Sequence, residues 1–148
     1  MTHKKGFTRV KDSGVRMYGP RCFILCGYLR EEKEQISDLL IRLGMQDITL
    51  RPVSQKYLHQ ELKEIMHSHA DPEYEQHIST RAIIMAGISE NELKKFMHGW
   101  KDLKFPAQLW AVLTPTSETW TLTALLTELK KEATAMSGKD RKRNNRHG

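Results

Sequence analysis

The sequence predicts an α/β domain with a small four-stranded sheet, and two observations carry that expectation. First, Arg21-Cys-Phe-Ile-Leu-Cys-Gly27 aligns without a gap on Arg81-Ala-Ile-Ile-Met-Ala-Gly87, an offset of 60 residues. Second, each apolar run ends on glycine, enters a charged segment of helical period, and is followed by another strand-like run ending Pro52-Val53-Ser54 or Val112-Leu113-Thr114. A self-similar unit of this kind marks a repeated supersecondary element. The pseudo-repeats span 21–54 and 81–114, each followed by a further helix, giving two βαβα-like units.

Cys22–Tyr28 is apolar throughout, as in a central strand covered on both faces. The helix from Arg30 to Leu43 opens with Glu31 and Glu32, favourable at the positive end of the helix dipole. Ile36, Leu39, Leu40 and Leu43 then recur at i, i+3, i+4, i+7, and Gly44 closes it. Asp47–Val53 alternates apolar and polar residues and reads as a half-exposed edge strand. Ser54 can cap a second helix with the stripe Leu58, Leu62, Ile65, Met66. Polar residues around Pro72 read as a loop before the second buried strand, Arg81–Gly87. Ser89 and Glu92 have the spacing of a capping box before a helix carrying Leu93, Phe96, Met97 and Trp100. Pro106 marks its end, Gln108–Leu113 is the fourth strand, and Thr114-Pro115-Thr116 is a turn. A last helix from about Thr119 carries Leu122, Leu125, Leu126 and Leu129 and stops at Ser137-Gly138.

The two most apolar strands, first and third, belong in the centre. Strand-helix-strand connections of this length favour parallel pairing with right-handed crossovers. Together these give a flavodoxin-like order 2-1-3-4, with strands one and three parallel. A ferredoxin-like α+β sandwich, with an antiparallel return from strand two to strand three, is the alternative.

Composition bounds the function classes. The 148 residues suit one domain, and the 39% apolar fraction is that of a soluble protein. No apolar run approaches the roughly 20 residues that cross a bilayer, and the basic N-terminus leads into no secretory signal. The expected location is the cytoplasm, with no membrane partner. Cys22 and Cys26 would stand about 13 Å apart along a strand, beyond the ~7 Å a disulfide tolerates, so both should be reduced core residues. The net charge of +6 sits at the ends. Residues 1–21 carry six basic residues against Asp12, and 138–148 carry five against Asp140, while the body between is acidic overall. We therefore expect a basic flexible arm over 1–19, an α/β domain over 20–137 and a basic flexible tail over 138–148.

The second repeat carries more than periodicity. Leu109-Trp-Ala-Val-Leu-Thr-Pro-Thr-Ser-Glu-Thr-Trp-Thr-Leu122, followed by Leu125-Leu-Thr-Glu-Leu-Lys-Lys-Glu132, resembles the bacterial domain of unknown function 3783 (DUF3783) over about residues 81–132. Ser117 stands where the family pattern carries an asparagine. The resemblance implies a fold unit and a bacterial origin, and no reaction.

Four constellations could carry function. In the parallel order the chain leaves strands one and three in opposite directions, so Gly27 and Gly87 would flank a switch-point crevice. Tyr28, Arg30 and Ser89 would line it for a small polar or anionic ligand. The plainer reading is that glycine only permits the tight turn. No glycine-rich phosphate loop is present, and no cofactor is expected. Thr114, Thr116 and Ser117 form a hydroxyl-rich turn that could bind a polar ligand or merely cap the last helix. His67, His69, Asp71 and His77 are the densest set of metal-ligand types, but their spacing matches no standard site, and a solvated loop explains them. Lys4, Lys5, Arg9 and Lys11, with Arg141, Lys142 and Arg143, could hold nucleic-acid phosphates or simply aid solubility. No arrangement has the form of a catalytic triad. A non-enzymatic binding or regulatory module is expected, with a protein or small polar ligand at the strand carboxyl ends. A nucleic-acid-associated protein acting through its tails and a metal-dependent enzyme using the His67–His77 loop are the alternatives.

Overall fold

The computed structural model describes residues 15–68 and 78–147, the stretch from 136 onward by its backbone alone. Strands β1 (Cys22–Cys26), β2 (Thr49–Val53), β3 (Ala82–Ala86) and β4 (Leu109–Val112) form one sheet in the order β2-β1-β3-β4. Helices α1 (Arg30–Arg42) and α3 (Glu90–Trp100) follow β1 and β3; α2 (Leu62–His67) and α4 (Leu122–His147) follow β2 and β4. The α/β class and the strand order are those expected from the sequence.

Every residue of β1 and β3 is buried, as their unbroken apolar character requires. Ile24 and Ile84, with the cysteines and alanines beside them, face α2 and α4. Phe23, Leu25, Ile83 and Met85 face α1 and α3, where Phe23 meets Phe96 edge-on at 5.1 Å. Both faces of the sheet are thus covered. Leu126 on α4 is 4% exposed, Ile24 and Ile84 not at all.

The pairing of the central strands corrects the flavodoxin-like expectation. β1 pairs with β2 and β3 with β4 in parallel, but β1 and β3 run antiparallel. The length of the helix after β2 explains why. α1 has 13 residues, about 20 Å of helix, enough to carry the chain back along a five-residue strand of ~16 Å. α2 has six residues, about 9 Å, and cannot do so. β3 therefore starts at the end of the sheet where β2 finishes.

The helix expected from Ser54 onward is in fact a 3-10 turn, Gln55–Tyr57, and then the separate α2. Backbone groups between them bond across to the second repeat instead of continuing a helix. Leu62 N–H donates to Trp120 O, Leu122 N–H to Gln60 O, and Thr123 N–H to Leu58 O. The same bonds delay α4 to Leu122, after a 3-10 turn at Ser117–Thr119. At its far end α4 runs through Ser137-Gly138 to His147, past the stop expected there. A glycine inside a helix costs only about 1 kcal/mol, and lysine and arginine are good helix formers that suit a helix C-terminus.

The repeat is a true pseudo-twofold. The register sets Ile24 opposite Ile84, its own equivalent. β2 meets β1 with Thr49 opposite Cys22, and β4 meets β3 with Leu109 opposite Ala82, the same stagger in both units. On one face Glu61 bridges to its equivalent Thr121. Residues 15–18, which the sequence assigns to the basic arm, lie along 87–89: Met17 N–H donates to Ile88 O and Gly87 N–H to Tyr18 O. No helix among the described residues is long and apolar enough to cross a membrane.

Candidate functional site

The antiparallel centre places Gly27 and Gly87 at opposite ends of the sheet, so they do not flank one crevice. Each adopts a positive φ, 80° and 70°. A Cβ on Gly27 would lie 2.7 Å from Thr80 O, and one on Gly87 2.6 Å from Pro20 O. The chain entering each central strand thus packs against the glycine that leaves the other. The glycines are required by this close crossing.

An arginine-glutamate clamp sits at each end, and each clamp joins the two repeats. Arg81, preceding β3, donates to Glu32 on α1 through Nη1 at 3.3 Å and Nη2 at 3.0 Å, and Nη1 also reaches Gly27 O. Arg21, preceding β1, donates to both carboxylate oxygens of Glu92 on α3 at 2.9 Å, and to Gly87 O. Each glutamate also caps its own helix: Glu32 accepts from Leu29 N–H, and Glu92 from Ser89 N–H, while Ser89 Oγ accepts from Glu92 N–H. Two fork-to-carboxylate pairs, largely withdrawn from water, fix the relative position of the repeats.

The ends differ in what surrounds the arginine. Arg21 has a second carboxylate, Asp47, at 2.6 Å, and its acidity is weakened first by the bond to Glu92 and then by Asp47. Arg81 instead lies over the Tyr28 ring at 4.4 Å and near Phe105 at 5.5 Å. Tyr28 packs edge-on against Trp100. Its buried hydroxyl has no hydrogen-bond partner among the described residues, and burial pushes its titration up.

Arg30 is exposed at the start of α1. Ser89 is buried as the α3 cap. Thr114 and Ser117 are spent on each other: Ser117 Oγ accepts from Thr114 N–H, and Thr114 Oγ1 accepts from Ser117 N–H, while Thr116 is exposed beside them. His67 ends α2, exposed; His69, Asp71 and His77 lie outside the described residues, as do Lys4, Lys5, Arg9 and Lys11. The α4 backbone passes through Arg141, Lys142 and Arg143. Among the described residues no group of three metal-ligand types converges. Cys22 and Cys26 are free and buried.

A concavity of about 170 Å³ opens where β1 and β2 end, between the 3-10 turn, the entry to β3, and α4. Gln55, Ser79, Thr80, Thr123, Thr127 and Lys130 supply its polar lining, over Leu58, Ile78 and Leu126. Thr127 Oγ1 donates to Thr123 O, so the hydroxyl can offer a ligand only its acceptor capacity. These residues had no signal as a set in the sequence, because they come from three separate segments.

Residues 81–136 match the family model described as a domain of unknown function, DUF3783. The DUF3783 stretch begins at Arg81 and takes in β3, α3, β4 and the described side chains of α4: one repeat of the two. No curated protein and no solved structure matches the chain. The clamp residues Arg81 and Glu92 lie inside the DUF3783 stretch; their partners Glu32 and Arg21 lie outside it.

Proposed function

We propose that the chain is a non-enzymatic binding module of the bacterial cytoplasm that takes a small polar ligand at the carboxyl ends of β1 and β2. The observation carrying this reading is the concavity described above, where four hydroxyls and an amide surround an aliphatic floor with Lys130 at the rim. A few convergent polar groups over apolar surface are the usual make-up of a ligand site. The single ammonium favours a ligand with one carboxylate or phosphate. The groups with shifted titration support a binding role over a catalytic one. Arg21, Asp47 and Glu92 are held together at one clamp, Tyr18 is bonded to Glu118, and Cys22, Cys26 and Tyr28 lie within the core, none of them in this lining. Reduced thiols and the bacterial family resemblance support the location.

The test is amide chemical-shift mapping with a panel of small carboxylates and phosphorylated compounds. Shifts centred on Gln55, Thr123 and Thr127, weakened when Thr123→Val and Thr127→Val are combined, are expected. Shifts centred elsewhere would remove this site.

A further inference from the structure

The second cavity of interest lies on the opposite face, between α1 and α3. It is a groove of about 290 Å³ lined by Leu39, Arg42 and Leu43 of α1, by Lys95, His98 and Gly99 of α3, and by Asp102. Its floor exists because α3 carries glycine at position 99: a Cβ there would stand 2.7 Å from Leu39 Cδ1. With no side chain at 99, the helices approach closely over the buried Leu39, and the half-buried Leu43 is left as the aliphatic floor.

The rim is basic. Arg42, Lys95 and His98 form no ion pair or side-chain hydrogen bond among the described residues. That contrasts with Arg21 and Arg81, whose guanidinium groups are paired with carboxylates in the clamps. One carboxylate, Asp102, also lines the groove. Basic residues around leucines are unremarkable on an isolated helix, but here two helices hold them around one depression, in a body whose overall charge is negative.

We propose that this groove docks an acidic peptide segment of a partner protein, with an aliphatic side chain of that segment seated on the half-buried Leu43 and its carboxylates on Arg42, Lys95 and His98. The charge complementarity is the ground for an acidic partner. The floor is the ground for a peptide over a nucleic acid. No phenylalanine, tyrosine or tryptophan lines the groove, so nothing offers the flat stacking surface that single-stranded bases use, and phosphates gain nothing from leucine. An anchor side chain in an apolar pocket ringed by polar contacts is how peptide grooves gain affinity. This site is separate from the sheet-end concavity and stands or falls independently of it.

The experiment is fluorescence anisotropy of the full chain with a labelled 12-residue peptide rich in glutamate and containing one leucine. A leucine-to-serine twin and a labelled oligonucleotide of equal charge run alongside. Binding of the acidic peptide is expected to weaken about tenfold or more in the Arg42→Glu/Lys95→Glu variant. It should also weaken with the serine twin and stay unchanged in Lys63→Glu, a surface lysine paired with Glu61 away from the groove. Far-ultraviolet circular dichroism confirms that both variants are folded. Undetectable peptide binding, binding indifferent to the groove variant (as the basic tails alone would give), or tighter groove-dependent binding of the oligonucleotide would each overturn the proposal.

Discussion

Leu39 on α1 and Gly99 on α3 hold the same position in the two repeats and touch across the pseudo-twofold, the glycine lying where any Cβ would press to 2.7 Å from Leu39 Cδ1. Leu39 is 1% exposed and has little room to move. Overpacking of this kind costs about 1–3 kcal/mol, while alanine gains up to about 1 kcal/mol over glycine in a helix.

Gly99→Ala is therefore expected to destabilise the chain by about 1 kcal/mol. Leu39→Ala alone should cost about 2–5 kcal/mol, and clearly less in the Gly99→Ala background, where the new methyl fills part of the cavity. Urea denaturation of the four proteins completes the cycle. Strict additivity would mean that the two positions are not in contact.

The cross-repeat clamps make stability depend on acidity in one direction. The bond to Arg21 holds the Glu92 carboxyl below the usual carboxylate range, and the same guanidinium lowers Asp47. A folded-state pKa below the unfolded one contributes stability above the unfolded value, near pH 4.5, that is lost as pH falls through the folded value. Glu92→Gln should cost about 1–3 kcal/mol at pH 7 and flatten the loss of stability below about pH 5. Denaturation midpoints of both proteins at pH 7 and pH 3 check this; parallel pH profiles would show that the pair contributes nothing to folding.

The two thiols should be inert in the native chain. Burial pushes Cys26 up to about 12 and raises Cys22 as well. Thiolate is the reactive form, and both sulfurs lie inside the sheet. A thiol-specific chromogenic reagent should label neither cysteine under native conditions and both in denaturant. Prompt native labelling would mean that the sheet opens at β1.

Charge at the two ends predicts weak nucleic-acid binding that ignores sequence and fades with salt. Because residues 15–18 belong to the fold, the comparison is between the whole chain and residues 15–137. Titration of a labelled duplex at low and moderate salt should show binding for the whole chain alone. Equal binding by the shortened chain would place the interaction on the folded body.

Much of the architecture was legible in the sequence, for identifiable reasons. Unbroken apolarity marked β1 and β3 as central, and the helical spacing of apolar residues marked α1 and α3. What apolarity cannot encode is direction, since a strand buried on both faces looks the same either way. The direction turned on whether Ser54–Met66 forms one helix, and that was decided by backbone bonds from Leu58, Gln60 and Leu62 to the second repeat, partners some 60 residues away. The clamps were closer to hand: Arg21 with Arg81, and Glu32 with Glu92, share the repeat offset. Only the exchange of partners between repeats was hidden. The sheet-end concavity and the α1–α3 groove draw on several segments each and had no local signal.

Two identical subunits about a true dyad must accept every substitution twice, once on each side. A fused pair is released from that obligation. Asp47 supports Arg21 while its equivalent, Ala107, leaves Arg81 to aromatic rings. Gly99 faces leucine rather than another glycine, and Arg42 shares the groove with Asp102 rather than with another arginine. The covalent link between the halves keeps the economy of a symmetric core while letting each surface specialise alone.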